Sequence, residues 1–294
     1  MKAKLKAHES FYFRDGWLEK ALFEIYGKNN DNTYQNTQLF KTNEGISKLG
    51  VGKNMVKSIK YWMEATGLTM IIRKPQYGVK LTEIGTLIEQ SDPYFEDEFT
   101  LWLLHINLIS SFEKATTWNL FFNQFKGETF TGMDVEKFIS EYLKTKDIKF
   151  NEKSLVSDVH VLLNMYSKKI SISNPEENSR CPLAVLGLIS EKKNFYMRKV
   201  PEYTMIPPLI VLYAIVKKMG EKKNISIRAL EMEEMGLAAI FNFERMDINA
   251  YLEKLSVMHY LSVEHTAGLD NVHLIEDITP LGIIKEYYEK RGEI

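Results

Sequence analysis

One short pattern occurs twice in the chain and constrains its fold more than any other feature. Leu81-Thr82-Glu83-Ile84-Gly85 and Ile278-Thr279-Pro280-Leu281-Gly282 each set a threonine ahead of an apolar helical run. A hydroxyl there caps a helix N-terminus. Each copy closes the same predicted order of elements. In the first, Trp17, Leu18, Ala21, Leu22 and Ile25 share one helical face. Residues 42–50 read as a short helix ended by glycine. Residues 53–65 read as a longer helix, with Met55, Val56, Ile59, Trp62 and Met63 at spacings of three and four. Residues 68–72 and 79–81 read as strands about a turn at 75–78, and a helix runs from Thr82 to about Gln90. In the second copy, residues 207–219, 226–231 (with Ser226 as cap) and 244–257 read as helices. Residues 260–263 and 271–275 bracket Ala267-Gly268 as strand, turn, strand, and Thr279-Pro280 starts the last helix.

Helix, helix, glycine turn, longer helix and two-stranded wing make the winged form of the helix-turn-helix. Between the copies, residues 99–112, 133–143 and 154–166 carry helical patterns, and residues 175–180 read as a loop. The expected fold is therefore mainly α. Winged helix-turn-helix units with small β-wings, at 1–92 and 206–294, flank a helical middle at 93–205. A length of 294 residues suits two or three such units.

The two copies differ in charge. The chain as a whole is nearly balanced at −1, yet residues 41–80 hold eight Lys or Arg against Glu44 and Glu64. Residues 226–282 hold three basic side chains against ten acidic ones. The first copy suits an anionic partner and the second repels phosphate, so the second is expected to face protein. Lys53, Lys57 and Lys60 lie three or four apart on the third helix, with Asn54, Ser58 and Tyr61 beside them. Lys48 precedes them. Arg73, Lys74, Gln76, Tyr77 and Lys80 stand on the predicted wing, where backbone or minor-groove contact is usual. These twelve residues are the expected contacts to double-stranded DNA.

Other chemistry is thin. Cys181 is the single cysteine, which excludes an internal disulfide and a multi-thiolate metal site. The six histidines lack a two-ligand helical spacing. Asp134-Val135-Glu136-Lys137 mimics a nuclease string but reads as a solvated helix start, where acids favour the dipole. Glu96-Asp97-Glu98 reads as another helix start, and His105 as a core histidine. Gly50-Val51-Gly52-Lys53 lacks the spacing and preceding strand of a phosphate loop. No metal ligands, catalytic residues or cofactor are evident. No apolar run is long enough to cross a membrane, and the N-terminus lacks the apolar core of a signal peptide, so a cytoplasmic location is expected.

Three strings carry a resemblance over nearly the whole chain: His8-Glu9-Ser10-Phe11 with Arg14-Asp15-Gly16-Trp17-Leu18-Glu19-Lys20; Leu49 to Trp62; and Cys181-Pro182-Leu183 with Leu186-Gly187-Leu188-Ile189. They resemble a prokaryotic family of unknown function encoded beside DNA phosphorothioation genes. Gly50-Val51-Gly52-Lys53-Asn54-Met55 is the most specific piece. The resemblance implies a part in replacing a non-bridging phosphate oxygen of DNA by sulfur, in antiphage defence. A cysteine desulfurase, an adenylating sulfurtransferase and an ATPase are the implied protein partners. It also leaves open a DNA nickase using Mg²⁺ or Mn²⁺, for which no residue carries over. The remaining alternative is a winged-helix transcription regulator, which would bind one tight operator, usually as a dimer.

Overall fold

A computed structural model describes residues 2–26, 38–73, 78–167, 180–266 and 269–292. The fold is mainly α with small antiparallel sheets. The first unit comprises α1 (Trp17–Tyr26), α2 (Thr42–Leu49), α3 (Lys53–Ala65), β1 (Thr69–Ile72), β2 (Gly78–Leu81) and α4 (Glu83–Ser91). The helical periodicity of the sequence is realised here. Val56, Ile59, Trp62 and Met63 of α3 are buried, as are Trp17, Leu18, Ala21, Leu22 and Ile25 of α1. Gly50 ends α2 with φ +65°, a left-handed conformation that glycine adopts without strain. Thr82 caps α4 by accepting from the Gly85 N–H. Gly85 itself has a steric reason, because a Cβ there would lie 2.2 Å from the Leu68 carbonyl oxygen.

α5 (Glu98–Ile109) and α6 (Thr116–Asn123) form the centre. Phe99 to Ile109 are all buried, as expected of a helix apolar on every side. α7 (Gly132–Thr145) and α8 (Glu152–Ser167) pack as a helical hairpin. Asp134 sits in the capping box at the start of α7, which accounts for the nuclease-like string. Asp97 likewise caps α5. The middle also holds a sheet that its helical pattern hid. β3 (Thr129–Phe130), β4 (Ile189–Lys192) and β5 (Phe195–Arg198) pair in the order β3-β5-β4.

The last unit comprises α9 (Pro208–Met219), β6 (Asn224–Ser226), α10 (Ile227–Met232), α11 (Leu237–Phe241), α12 (Arg245–Val257), β7 (Leu261–Thr266), β8 (Leu269–Leu274) and α13 (Pro280–Gly292). It departs from the first copy in two ways. β6 adds a third strand against β8, and α11 inserts before the longer helix. Ser226 caps α10 as the sequence indicates. α13 is tied back to the start of α5: Arg291 pairs with Asp97 at 2.9 Å, and the Tyr287 hydroxyl donates to the same carboxylate. One continuous hydrophobic core runs through all three regions. Among the described residues no helix is long and apolar enough to cross a membrane.

Residues 2–15 form a strap beneath α3. The Lys4 N–H donates to Thr116 Oγ1, and the Lys6 N–H to Asp158 Oδ1, both at 2.7 Å. The Phe11 carbonyl accepts from both Ser58 Oγ and Trp62 Nε1. The strap thereby fixes the inner face of α3 against the helical middle.

Candidate nucleic-acid interface

α3 is amphipathic because its apolar residues recur at helical spacing, and burying that face turns the lysines outward. Lys53, Asn54 and Lys57 are exposed and Lys60 is half-exposed. Lys57 lies 3.4 Å from Glu9 of the strap and 3.4 Å from Asn54 Oδ1. Lys48, on α2, is exposed but sits between Glu44 at 3.0 Å and Glu24 at 3.6 Å, and the Glu44 hydrogen bond raises its pKa. Part of its charge is therefore already answered. On the hairpin, Arg73 and Lys80 are exposed. Lys74, Gln76 and Tyr77 lie outside the described residues, as do the loop at 175–179 and the turn at Ala267-Gly268.

Two expected contacts face the other way. Ser58 is fully buried and donates to the Phe11 carbonyl. Tyr61 is buried, and its hydroxyl donates to the Lys114 carbonyl at 3.1 Å. Burial also pushes the Tyr61 phenol well above its usual range. Polar atoms made both residues look like outward groups. Long-range backbone acceptors satisfy those atoms inside the protein instead.

The start of α3 is open. Gly52 is the N-cap and offers no side chain to the first N–H groups, and the first turn holds no acid. A helix N-terminus of this kind carries partial positive charge and free donors, which suits phosphate. Its counterpart differs. α12 has the same length of 13 residues, but Glu244 and Asp247 form a capping box on its first turn. Arg245 is held by Glu231 at 2.9 Å and Asp270 at 2.8 Å. Met246 and Val257 are among its exposed residues. The charge contrast read from the sequence thus extends to the helix ends.

Two further groups noted in the sequence, His105 and Cys181, lie in the interior. His105 is buried, with Nδ1 at 2.7 Å from the Tyr166 hydroxyl and Nε2 at 3.1 Å from the Ile240 carbonyl. Burial holds its pKa down to about 3. Cys181 is buried, which pushes its thiol far up. No cluster of three or more His, Cys, Asp or Glu capable of holding a metal occurs among the described residues. His8, to which the sequence assigned no role, is buried against Asp158 of α8 at 2.9 Å. Its ring stacks on Trp62 at 5.6 Å. The Ser10 N–H donates to His8 Nδ1, so Nε2 carries the proton that Asp158 accepts. The Thr117 hydroxyl donates to the other carboxylate oxygen.

Two solved structures share this architecture: "Magnesium ion-bound SspB crystal structure" and "SspB crystal structure". Each matches at TM-score 0.84 and 24% identity, over 99% of this chain and 88% of the other. At that identity the likeness establishes the fold. No curated protein matches. The pattern of one family, described as "Protein of unknown function (DUF4007)", matches residues 5–288. With nearly its whole length matched, the chain belongs to the DUF4007 family.

Proposed function

We propose that this protein is a DNA-binding component of a cytoplasmic DNA phosphorothioate modification system. The basic unit, residues 1–92, is read as a winged helix, with α3 against the duplex and the β1–β2 hairpin as its wing. The observation that carries this reading is the start of α3: an uncapped, acid-free helix N-terminus beside the exposed Lys53, Asn54 and Lys57. Helix N–H groups and lysines are the usual phosphate contacts of such units. Arg73 and Lys80 extend the positive surface onto the hairpin. Ser58 and Tyr61 hold α3 in place rather than touching DNA. The helical middle, 93–205, supports the unit. The acidic unit, 206–294, faces protein partners: a cysteine desulfurase, an adenylating sulfurtransferase and an ATPase are the classes the sequence resemblance implies.

The expected result for Lys53→Glu with Lys57→Glu is a loss of duplex affinity of at least tenfold. Each reversal replaces a phosphate attraction by a repulsion. Circular dichroism should be unchanged, because exposed helix charges contribute little to stability. Fluorescence anisotropy on duplex DNA measures the binding, and wild-type affinity in the folded variant would sink the proposal.

One observation favours a second reading. One of the similar SspB structures is described as magnesium-bound. A metal-dependent nickase of the same system would convert supercoiled plasmid to open circle only with Mg²⁺ or Mn²⁺, and a plasmid assay with and without each ion decides it.

A further inference from the structure

A cleft of about 380 Å³ opens among the end of α6, β5 and the segment joining α11 to α12, on residues the DNA reading does not use. Its lining combines Lys126, Arg198 and Lys199 with Phe122, Phe125 and Phe243. The Arg198 guanidinium is held by neutral acceptors. It donates to Asn242 Oδ1 at 2.9 Å and to the Phe121 and Phe125 carbonyls at 2.7 and 2.9 Å. It also lies 4.5 Å from the Phe121 ring. Its Nε is buried without a hydrogen-bond partner among the described residues. Burial lowers its pKa to about 10, and burial together with Arg198's charge lowers that of the neighbouring Lys126.

Two carboxylates, Glu128 and Glu244, lie on the same cleft against its three cations. Glu244 is engaged as the N-cap of α12. Glu128 is exposed on the rim. A fixed cation without a carboxylate partner, with two exposed lysines on the same cleft, leaves the cations in excess of the carboxylates.

We propose that this cleft binds a small phosphomonoester, with Arg198 as its fixed floor and Lys126 and Lys199 meeting the phosphate oxygens. Three cationic side chains suit a dianion better than a carboxylate. The volume lies within the range of small-ligand sites and exceeds what a phosphate alone fills. The aromatic lining suits a planar group attached to the phosphate, so a nucleoside monophosphate is the class that best fills the space.

Calorimetry on the full chain, titrated with inorganic phosphate and separately with AMP, tests this. Both should bind. AMP binding more tightly assigns the cleft to nucleotides, and equal affinities assign it to the phosphate group alone. Lys126→Glu with Lys199→Glu changes two exposed side chains and should weaken both ligands by at least tenfold, the loss of one or more charge-assisted contacts. Glu128→Gln should tighten them several-fold. Lys53→Glu with Lys57→Glu should leave them unchanged, which separates this site from the DNA surface. The proposal is overturned if neither ligand binds at millimolar concentration, or if the Lys126/Lys199 variant binds like wild type.

Discussion

Trp62→Ala is expected to destabilise the protein by about 3–5 kcal/mol, the usual cost of emptying a buried aromatic site. That is a large fraction of a typical domain stability of ~5–15 kcal/mol. Trp62 is fully buried at the junction of α3, the strap and α6. Its ring stacks on His8 and meets Phe13, Tyr61 and Trp118 edge-on, with centroids 4.8–5.6 Å away. Its Nε1 donates to the Phe11 carbonyl at 2.9 Å. Alanine removes those contacts and leaves that acceptor with Ser58 alone. Thermal melts should show the loss directly. A variant that melts like wild type but binds DNA poorly would place Trp62 on the outer surface and overturn the facing of α3.

The second large effect lies at Asp158. Its carboxylate accepts from the part-buried Lys6 N–H and, in the interior, from His8 Nε2 and the Thr117 hydroxyl. Asp158→Ala leaves three donors without an acceptor. Each buried donor left without an acceptor costs about 1–3 kcal/mol. Asp158→Asn should cost much less. Its amide oxygen serves Lys6 and His8, and its NH₂ donates to Thr117, whose hydroxyl also accepts. Chemical denaturation separates the two variants. Limited trypsin digestion should cut the alanine variant early at Lys4 and Lys6, because the strap has lost its anchor. Equal stabilities for Ala and Asn would show that these hydrogen bonds matter little. Because Asp158 and Trp62 both contact His8, their effects should be non-additive.

The parts legible in the sequence are those that local pattern encodes. The buried face of α3, the Thr82 and Ser226 caps, the glycine end of α2 and the burial of His105 all follow from residues within one or two turns. The inward turn of Ser58 and Tyr61 was not legible, because their acceptors lie 47 and 53 residues away. His8 and Asp158 are 150 residues apart, and the resemblance string that begins at His8 does not name its partner. The middle sheet escaped for a related reason. β3 is two residues long and pairs with β5, more than sixty residues later, so its alternation is too short to register. α6 is buried on every residue and lacks the polar face that marks an amphipathic helix. Arg198 was equally illegible, because its three neutral acceptors lie 44 to 77 residues away.

The central claim is that α3 meets the phosphates of duplex DNA through Lys53 and Lys57. The salt dependence of binding tests it most directly. The logarithm of the association constant, plotted against that of salt concentration, falls with a slope of about 0.9 for each phosphate neutralised. Lys53→Gln with Lys57→Gln removes two such contacts without adding repulsion. The slope should become shallower by about 1.8 relative to wild type, with affinity falling on every duplex sequence alike. An unchanged slope in a folded variant would contradict the account and move the DNA surface away from α3.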